Sequence, residues 1–442
     1  MTNFVAGRCS MVDRLRFAVR GSLFVGACSL CTATPLSAQQ SPSSWGERLA
    51  IAEAHRIAAM PERRFTHRDF WTAVAPSLAG GALVADSVGA SIQGRAIRTV
   101  TFGRGPIKVL LWSQMHGDEA TATMALADIF AFLAGADASP LRDRLARELT
   151  VVFIPMLNPD GAELFQRQNA VGVDVNRDAR RLATPEARTL KAVRDRLEPA
   201  FGFNLHDQGA RTRVGRTGGQ AAIALLAPAA EVTRAWGPVR TRARHVAAFL
   251  ARDFAQAIPG KVAKYDDTFE PRAFGDLMQA WGTSTVLIES GALAGDPQKQ
   301  RLRTLHVAAI LGALDAIATG AYRGTATAHY DDLPFNAGGA SDLLVRGGTI
   351  VMPGGTTVRA DVSINFDDSV ARTDGRVADV GDLEASIALD TVDATGRFLH
   401  PLPEALMSRT GTVAGWLRIG APARFVIREG ADPASREVGR LP

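Results

Sequence analysis

Three short apolar runs constrain the fold more than anything else in the sequence. Thr150-Val-Val-Phe-Ile-Pro155, Phe201–Leu205 and Thr283–Ile288 show no steady alternation of polar and apolar positions. Runs of that kind are strands buried on both faces. Thr99–Phe102 and Lys108–Gln114 are two further strands, separated by the turn Gly103-Arg104-Gly105-Pro106. Helical stretches lie between the strands. Glu119–Leu133 holds no proline or glycine, is rich in alanine and leucine, and is followed by Gly135. Thr184-Pro185-Glu186 offers a capping hydroxyl, a proline in the first turn and then an acid, and that helix must end before Pro199. Arg240–Ala257 and Leu302–Ala318 complete the set, and Ile51 to about Met60 reads as a short helix after a flexible start over 39–50. Strands alternating with helices give an α/β fold: a mixed, mostly parallel sheet flanked by helices.

Beyond Gly320 the texture changes. Short β-rich runs such as Thr349–Met352 and Thr356–Ile364 are separated by Gly, Pro and Asp. The boundary falls near 320–335, which divides the chain into a larger α/β domain over 39–325 and a small β-rich C-terminal domain over 326–442. No internal repeat is present.

The first 38 residues have the layout of a secretory signal peptide. Arg8, Arg14, Arg16 and Arg20 form a basic region, Gly21–Leu36 is an uncharged run of mostly apolar or small residues, and Pro35-Leu-Ser-Ala38 offers a small-residue cleavage site. The run is too short to span a bilayer, so the mature chain is expected to be exported, periplasmic or secreted, with no transmembrane span. Val25-Gly-Ala-Cys28 also has the form of a lipoprotein cleavage box, with Cys28 the anchor in that minority reading. Cys9, Cys28 and Cys31 are the three cysteines of the chain and all lie in this leader. A mature chain without them has neither a cysteine nucleophile nor thiolate zinc ligands. The formal charge is +5, and losing a leader with four arginines and one aspartate lowers it to about +2. Neither that charge nor any aromatic-interleaved basic stripe points to nucleic acid.

Four constellations carry chemistry. Gln114-Met-His116-Gly-Asp-Glu119 sits where a strand gives way to a helix, and residues three apart on an early helical turn converge on one point. A bare His-x-x-Glu fits a capping turn with a surface histidine equally well. Asn204-Leu-His206-Asp207 places a second histidine at the end of a buried strand, where α/β sheets build sites. A histidine alone there reads as readily as a satisfied core residue. Two histidines and a glutamate leave one tetrahedral position open on zinc, which suits a catalytic site. Val286-Leu-Ile-Glu289 ends an apolar strand in a carboxylate, either an edge group facing solvent or a general base beside a metal. Asn158-Pro-Asp-Gly161, Arg167 and Val173-Asp-Val-Asn176-Arg177 follow the first histidine, and Asn176 with the guanidinium fork of Arg177 suits a carboxylate.

In this order and company, the segment from about 90 to 320 resembles the zinc carboxypeptidase family that includes pancreatic carboxypeptidase A. The resemblance rests on His116-Gly-Asp-Glu119, Asn158-Pro-Asp-Gly161, Val173-Asp-Val-Asn-Arg177, Asn204-Leu-His206 and Ile288-Glu289. It implies one zinc per chain held by His116, Glu119 and His206, and Glu289 as general base. It also implies Arg167 at the scissile carbonyl, with Asn176 and Arg177 on the substrate's terminal carboxylate. The family's tyrosine on a mobile loop has Tyr265 as its candidate here, at a spacing that does not quite match. Asp118 departs from the basic residue that many digestive members carry just before the glutamate ligand, and the residue setting side-chain preference falls near Phe274-Gly-Asp276.

The expectation is a zinc-dependent metallocarboxypeptidase acting on peptides with a free C-terminal carboxylate. Two alternatives stand beside it: a related zinc hydrolase acting on N-acyl amino acids or cell-wall peptides, and a non-catalytic binding protein whose C-terminal β domain is the working part.

Overall fold

The computed structural model describes residues 42–216, 219–406, 415 and 417–441. The leader over 1–38, with Cys28 and its two companions, lies outside them.

A central sheet carries the runs read above. Its strands are β1 (Leu83–Ala90), β2 (Ala96–Phe102), β3 (Ile107–Ser113), β4 (Leu149–Ile154), β5 (Phe201–Asp207), β7 (Ile223–Leu226), β8 (Val262–Lys264) and β9 (Ser284–Ser290), while β6 (Arg213–Val214) stands outside it. The order across the sheet is β1-β2-β4-β3-β5-β9-β7-β8. The middle is parallel, β4 with β3, β3 with β5 and β5 with β9. The edges turn antiparallel at β1–β2, β2–β4 and β7–β9. The mixed, mostly parallel α/β sheet is thus as expected.

Alternate side chains of these strands feed two cores. Val109, Leu111, Phe153, Phe203 and Ile288 pack against α3 (Thr121–Leu133), α7 (Pro238–Ala257) and α9 (Gln300–Thr319). Leu110, Trp112 and Ile154 pack against α6 (Pro185–Leu197) and α8 (Phe274–Ala280). Both faces are therefore apolar, which explains why the strands show no alternation. Helix α9 is long and apolar enough to cross a membrane by composition, but 83% of its apolar window is buried inside the protein, as befits a core helix.

The N-terminal segment departs from expectation. Helix α1 spans Trp45–Ala54, ahead of the 51–60 read from the sequence and inside the stretch read as flexible. The cause is a capping box: the Ser44 side chain accepts from the Glu47 N–H while Glu47 accepts from the Ser44 N–H at 2.7 Å. A buried Arg48–Asp253 ion pair at 2.6 Å then ties α1 to α7. The helices α2 (His67–Leu78), α4 (Pro140–Glu148) and the six-residue α5 (Pro159–Leu164), the helix α8 and the strands β1, β7 and β8 were unread in the sequence.

The C-terminal region is built of strands around a separate core of Val345, Ile350, Val362, Ile364, Leu399 and Phe425. A short strand, β10 (Asn336–Ala337), pairs with β6 and brings Asn336 to the rim of the central cleft. Beyond it, a four-stranded sheet is formed from segments 341–346, 361–368, 373–381 and 388–393, and a five-stranded sheet from segments 349–351, 357–359, 398–401, 425–428 and 437–441. Arg63 and Arg64 both reach Asp368, and Arg211 reaches Asp342 at 3.0 Å, so this region is fastened to the α/β part.

Candidate metal centre

The loop after β3 is shaped by three local devices. Gln114 takes a left-handed backbone at φ 48°, and its Nε2 donates to the Gly117 carbonyl at 2.9 Å. Gly117 lies flat against the backbone of Gly161, where an added Cβ would come within 2.0 Å of a carbonyl carbon. Gly161 in turn is held by Asn158, whose Oδ1 accepts its N–H at 2.9 Å as the cap of α5. The Asn158-Pro-Asp-Gly161 motif is therefore the floor on which the His116 loop rests.

His116 and Glu119 belong to a turn, closed by the Glu119 N–H donating to the His116 carbonyl at 3.2 Å, and α3 begins two residues later. They converge without being helical, because the turn supplies the three-residue proximity that the sequence reading assigned to a helix. His206 arrives from the end of β5. Its Nδ1 lies 2.6 Å from Glu119 Oε2 and 3.2 Å from His116 Nδ1, while His116 Nδ1 lies 2.7 Å from Glu119 Oε1. Among the described residues, these three form a group whose ligand atoms all lie within 4.8 Å of one another. Two imidazole nitrogens facing one another across a carboxylate fit a cation better than they fit each other. Tetrahedral zinc with nitrogen ligands at about 2.0–2.1 Å would separate the two nitrogens by roughly 3.3 Å, close to what is seen.

Surrounding groups fix the ligands. His116 Nε2 lies 3.0 Å from Asp174 Oδ1, which holds the ring with Nδ1 toward the centre. Burial opposes charge on His116, but Glu119 and Asp174 outweigh it and lift the imidazole to about 9. Burial likewise opposes ionisation of Glu119, yet the two histidines hold its carboxyl below the usual range. His206 is pushed down by burial. Glu289 is the register partner of His206 across β5–β9. Burial and then the charge of Glu119 push its carboxyl well up, and its Oε2 has no hydrogen-bond partner.

The remaining predicted residues line the same cleft, of about 520 Å³. Arg167 donates to Asp174 at 2.8 and 3.1 Å and to Glu119 at 3.3 Å, so its guanidinium sits at the metal group. Asn176 Oδ1 accepts the Phe274 N–H at 2.9 Å, which orients its carboxamide with Nδ2 left for a ligand. Arg177 is half-exposed, with Nε 3.6 Å from Glu270. Tyr265 lies on the cleft wall, its N–H donating to the Leu225 carbonyl at 2.9 Å, and burial followed by the Glu289 charge raises its phenol.

Asp174, Glu270 and Asn204 also shape this cleft, and the sequence reading gave them no role; Asp276, which lines it too, falls in the Phe274-Gly-Asp276 stretch that the sequence reading marked for side-chain preference. Asp174 was within reach, since it precedes Asn176 and Arg177 in a quoted motif. Glu270 and Asn204 became visible only when the fold brought them to the lining of the cleft.

Residues 82–210 match the family model described as zinc carboxypeptidase. The matched span contains His116, Glu119, Arg167, Asn176, Arg177 and His206, and ends ahead of Tyr265 and Glu289. A probable carboxypeptidase 2 of Arthroderma benhamiae is 30% identical over 102 residues, 23% of this chain and 19% of that protein. Carboxypeptidase 2 of Trichophyton rubrum is 28% identical over 102 residues, with the same shares covered. The match thus spans about a fifth of the length of these curated relatives. Among solved structures, a metallo-carboxypeptidase from Burkholderia cenocepacia aligns with TM-score 0.46 and 17% identity over 58% of this chain and 70% of that one. Carboxypeptidase A from Helicoverpa armigera aligns with TM-score 0.45 and 15% identity over 62% and 81%. The family match and the names of the relatives bear out the resemblance to zinc carboxypeptidases read from the motifs.

Proposed function

We propose that this chain is an exported zinc-dependent metallocarboxypeptidase, binding one zinc through His116, Glu119 and His206 and removing C-terminal residues from peptides. The observation that carries the reading is the meeting of the His116 and His206 Nδ1 atoms with the Glu119 carboxylate, directly beside Glu289, in a cleft that also holds Arg167, Asn176 and Arg177. When bound, zinc would lower the pKa of water and polarise a carbonyl oxygen.

The chain's own residues supply the rest. Glu289 takes a proton from the attacking water and returns it to the leaving amine, a role suited to a buried carboxylate whose affinity for protons is raised. Arg167, beside the metal ligands, donates to the oxygen that gains negative charge as the carbonyl is attacked. Asn176 Nδ2 and the Arg177 guanidinium bind the free C-terminal carboxylate, and this restricts cleavage to the chain end. Tyr265, on the wall of the same cleft, is the candidate for the tyrosine that closes over the substrate. The signal-peptide layout of residues 1–38 supports export.

The test is metal analysis of purified protein, together with a hydrolysis panel of C-terminally free peptides, their amidated counterparts, N-acyl amino acids and cell-wall peptides. One zinc per chain and cleavage of free but not amidated peptides is the expected result. A folded protein that takes up no zinc would remove the reading, and turnover confined to N-acyl amino acids would replace it with a deacylase.

A further inference from the structure

Asn204 sits two residues before His206 on β5, so its side chain points to the same face and lines the same cleft. Its register partners are Trp112 on β3 and Leu287 on β9. It is 1% exposed, and neither its Oδ1 nor its Nδ2 has a hydrogen-bond partner. A buried carboxamide open at both ends is costly, because folding removes it from water and returns nothing. The neighbouring backbone keeps it open. A Cβ on Gly275 would stand 3.3 Å from Asn204 Nδ2 and 3.4 Å from Pro228, so glycine at the start of α8 leaves a slot there. The slot lies in a part of the cleft with apolar walls from Leu226, Pro228 and Leu287, and Asp276 lines the same cleft.

We infer that this compartment selects a C-terminal residue whose side chain ends in a carboxamide, glutamine or asparagine, with Asn204 as the residue that reads it. The inference rests on the carboxypeptidase reading above and names that site's substrate class. The argument is a matching of donors and acceptors. A substrate carboxamide donates to Asn204 Oδ1 and accepts from Asn204 Nδ2, satisfying both ends at once. An ammonium or guanidinium only donates and leaves Nδ2 without a partner. A carboxylate only accepts and leaves Oδ1 unpaired. An apolar side chain leaves both ends open. Asp276 does not commit the pocket to a cation, since burial lifts its carboxyl to about 7.

The test uses the zinc-loaded full chain and peptides identical except for a C-terminal Gln, Met, Lys or Glu. Methionine matches glutamine in length and shape but offers no amide. The expected kcat/KM favours Gln over Met by about tenfold or more, because a site built to hydrogen-bond penalises the analogue that lacks the groups. Asn204→Leu should erase that advantage and bring the Gln/Met ratio of kcat/KM to about one. Should Asn204→Leu melt early, Gly275→Ala serves instead, crowding the carboxamide and lowering the Gln/Met ratio. Equal rates on Gln and Met, or a preference for Lys or Glu, would overturn the inference and leave the carboxypeptidase reading standing. Absence of hydrolysis on every peptide would instead remove that reading. Peptide binding to Glu289→Gln, followed by calorimetry, then decides the pocket: Gln bound more tightly than Met supports it, and equal or no binding overturns it.

Discussion

Glu289 and His206 face each other across neighbouring parallel strands, one pair in an unbroken register that runs from Phe201–Ser284 to Asp207–Ser290. The strand pairing therefore sets the base beside the metal ligand, and no loop has to close to bring them together. Glu289→Gln keeps the size of the side chain and removes the proton acceptor. It should retain zinc at the parent's stoichiometry and lose about 10²- to 10⁴-fold in kcat, the usual range for a general base. Rapid-quench turnover alongside elemental analysis measures both, and a variant within threefold or so of the parent's kcat would take Glu289 out of its role.

Asp174 should act on the metal without touching it. It holds His116 through Nε2 and is itself gripped by Arg167, and the two contacts keep its carboxyl below the usual range despite burial. Asp174→Ala frees the ring to turn. Zinc affinity should fall by about 10- to 100-fold, as for other groups that orient a ligand from behind. Competition with a chromophoric chelator reads that loss. An unchanged affinity would mean that the loop geometry alone orients His116.

How much of this was legible in the sequence depends on how local each signal is. The buried strands were readable because sheets covered on both faces leave long apolar runs, and Thr184-Pro185-Glu186 marked α6 because caps are local chemistry. The capping box at Ser44 and Glu47 was equally local, and was missed only because the surrounding serines and Pro42 read as a flexible start. His116 and Glu119 stood out by their three-residue spacing after a buried strand, and His206 and Glu289 as polar residues ending apolar strands, which are costly without a use. Asn204 did not, since its two unpaired atoms mean nothing until β3, β9 and α8 bury them. At Asp276 the sequence marked the stretch but not the raised carboxyl, which is a product of burial.

That carboxyl gives the protein a pH signature. The folded-state value of Asp276 is about 7 against 3.8 for the free side chain, so between those values the folded state binds more protons than the unfolded one. The contribution of Asp276 to stability must then fall as pH rises through the interval from about 4 to about 7, and level off above it. Asp276→Asn removes the titration and can keep the hydrogen bond that Oδ1 accepts from the Glu270 N–H at 3.0 Å. The melting temperatures of parent and variant, compared across pH, should diverge in favour of the variant by a few degrees toward pH 8. A gap that stays constant with pH would show that the carboxyl is not the titrating group.

Gly117 offers the sharpest test of how the metal loop is built. Its α-carbon faces the backbone of Gly161, and a Cβ would sit 2.0 Å from the Gly161 carbonyl carbon and 2.3 Å from the Ala162 nitrogen. Neither neighbour is a flexible side chain that could swing away, so the loop itself must lift. Lifting it moves His116, the preceding residue, and Glu119, two residues on, away from His206. Gly117→Ala should therefore cost about 1–3 kcal/mol of stability, the range for overpacking a tight contact, and should weaken zinc binding by a larger factor than its small added volume suggests. Gly172→Ala is the control, since nothing lies within 4 Å of its Cβ and its positive φ of 79° confines the penalty to the backbone. That variant should lose some stability while zinc affinity stays at the parent's level. If both variants weakened zinc equally, the close packing of 117 on 161 would not be what holds His116 and Glu119 in place.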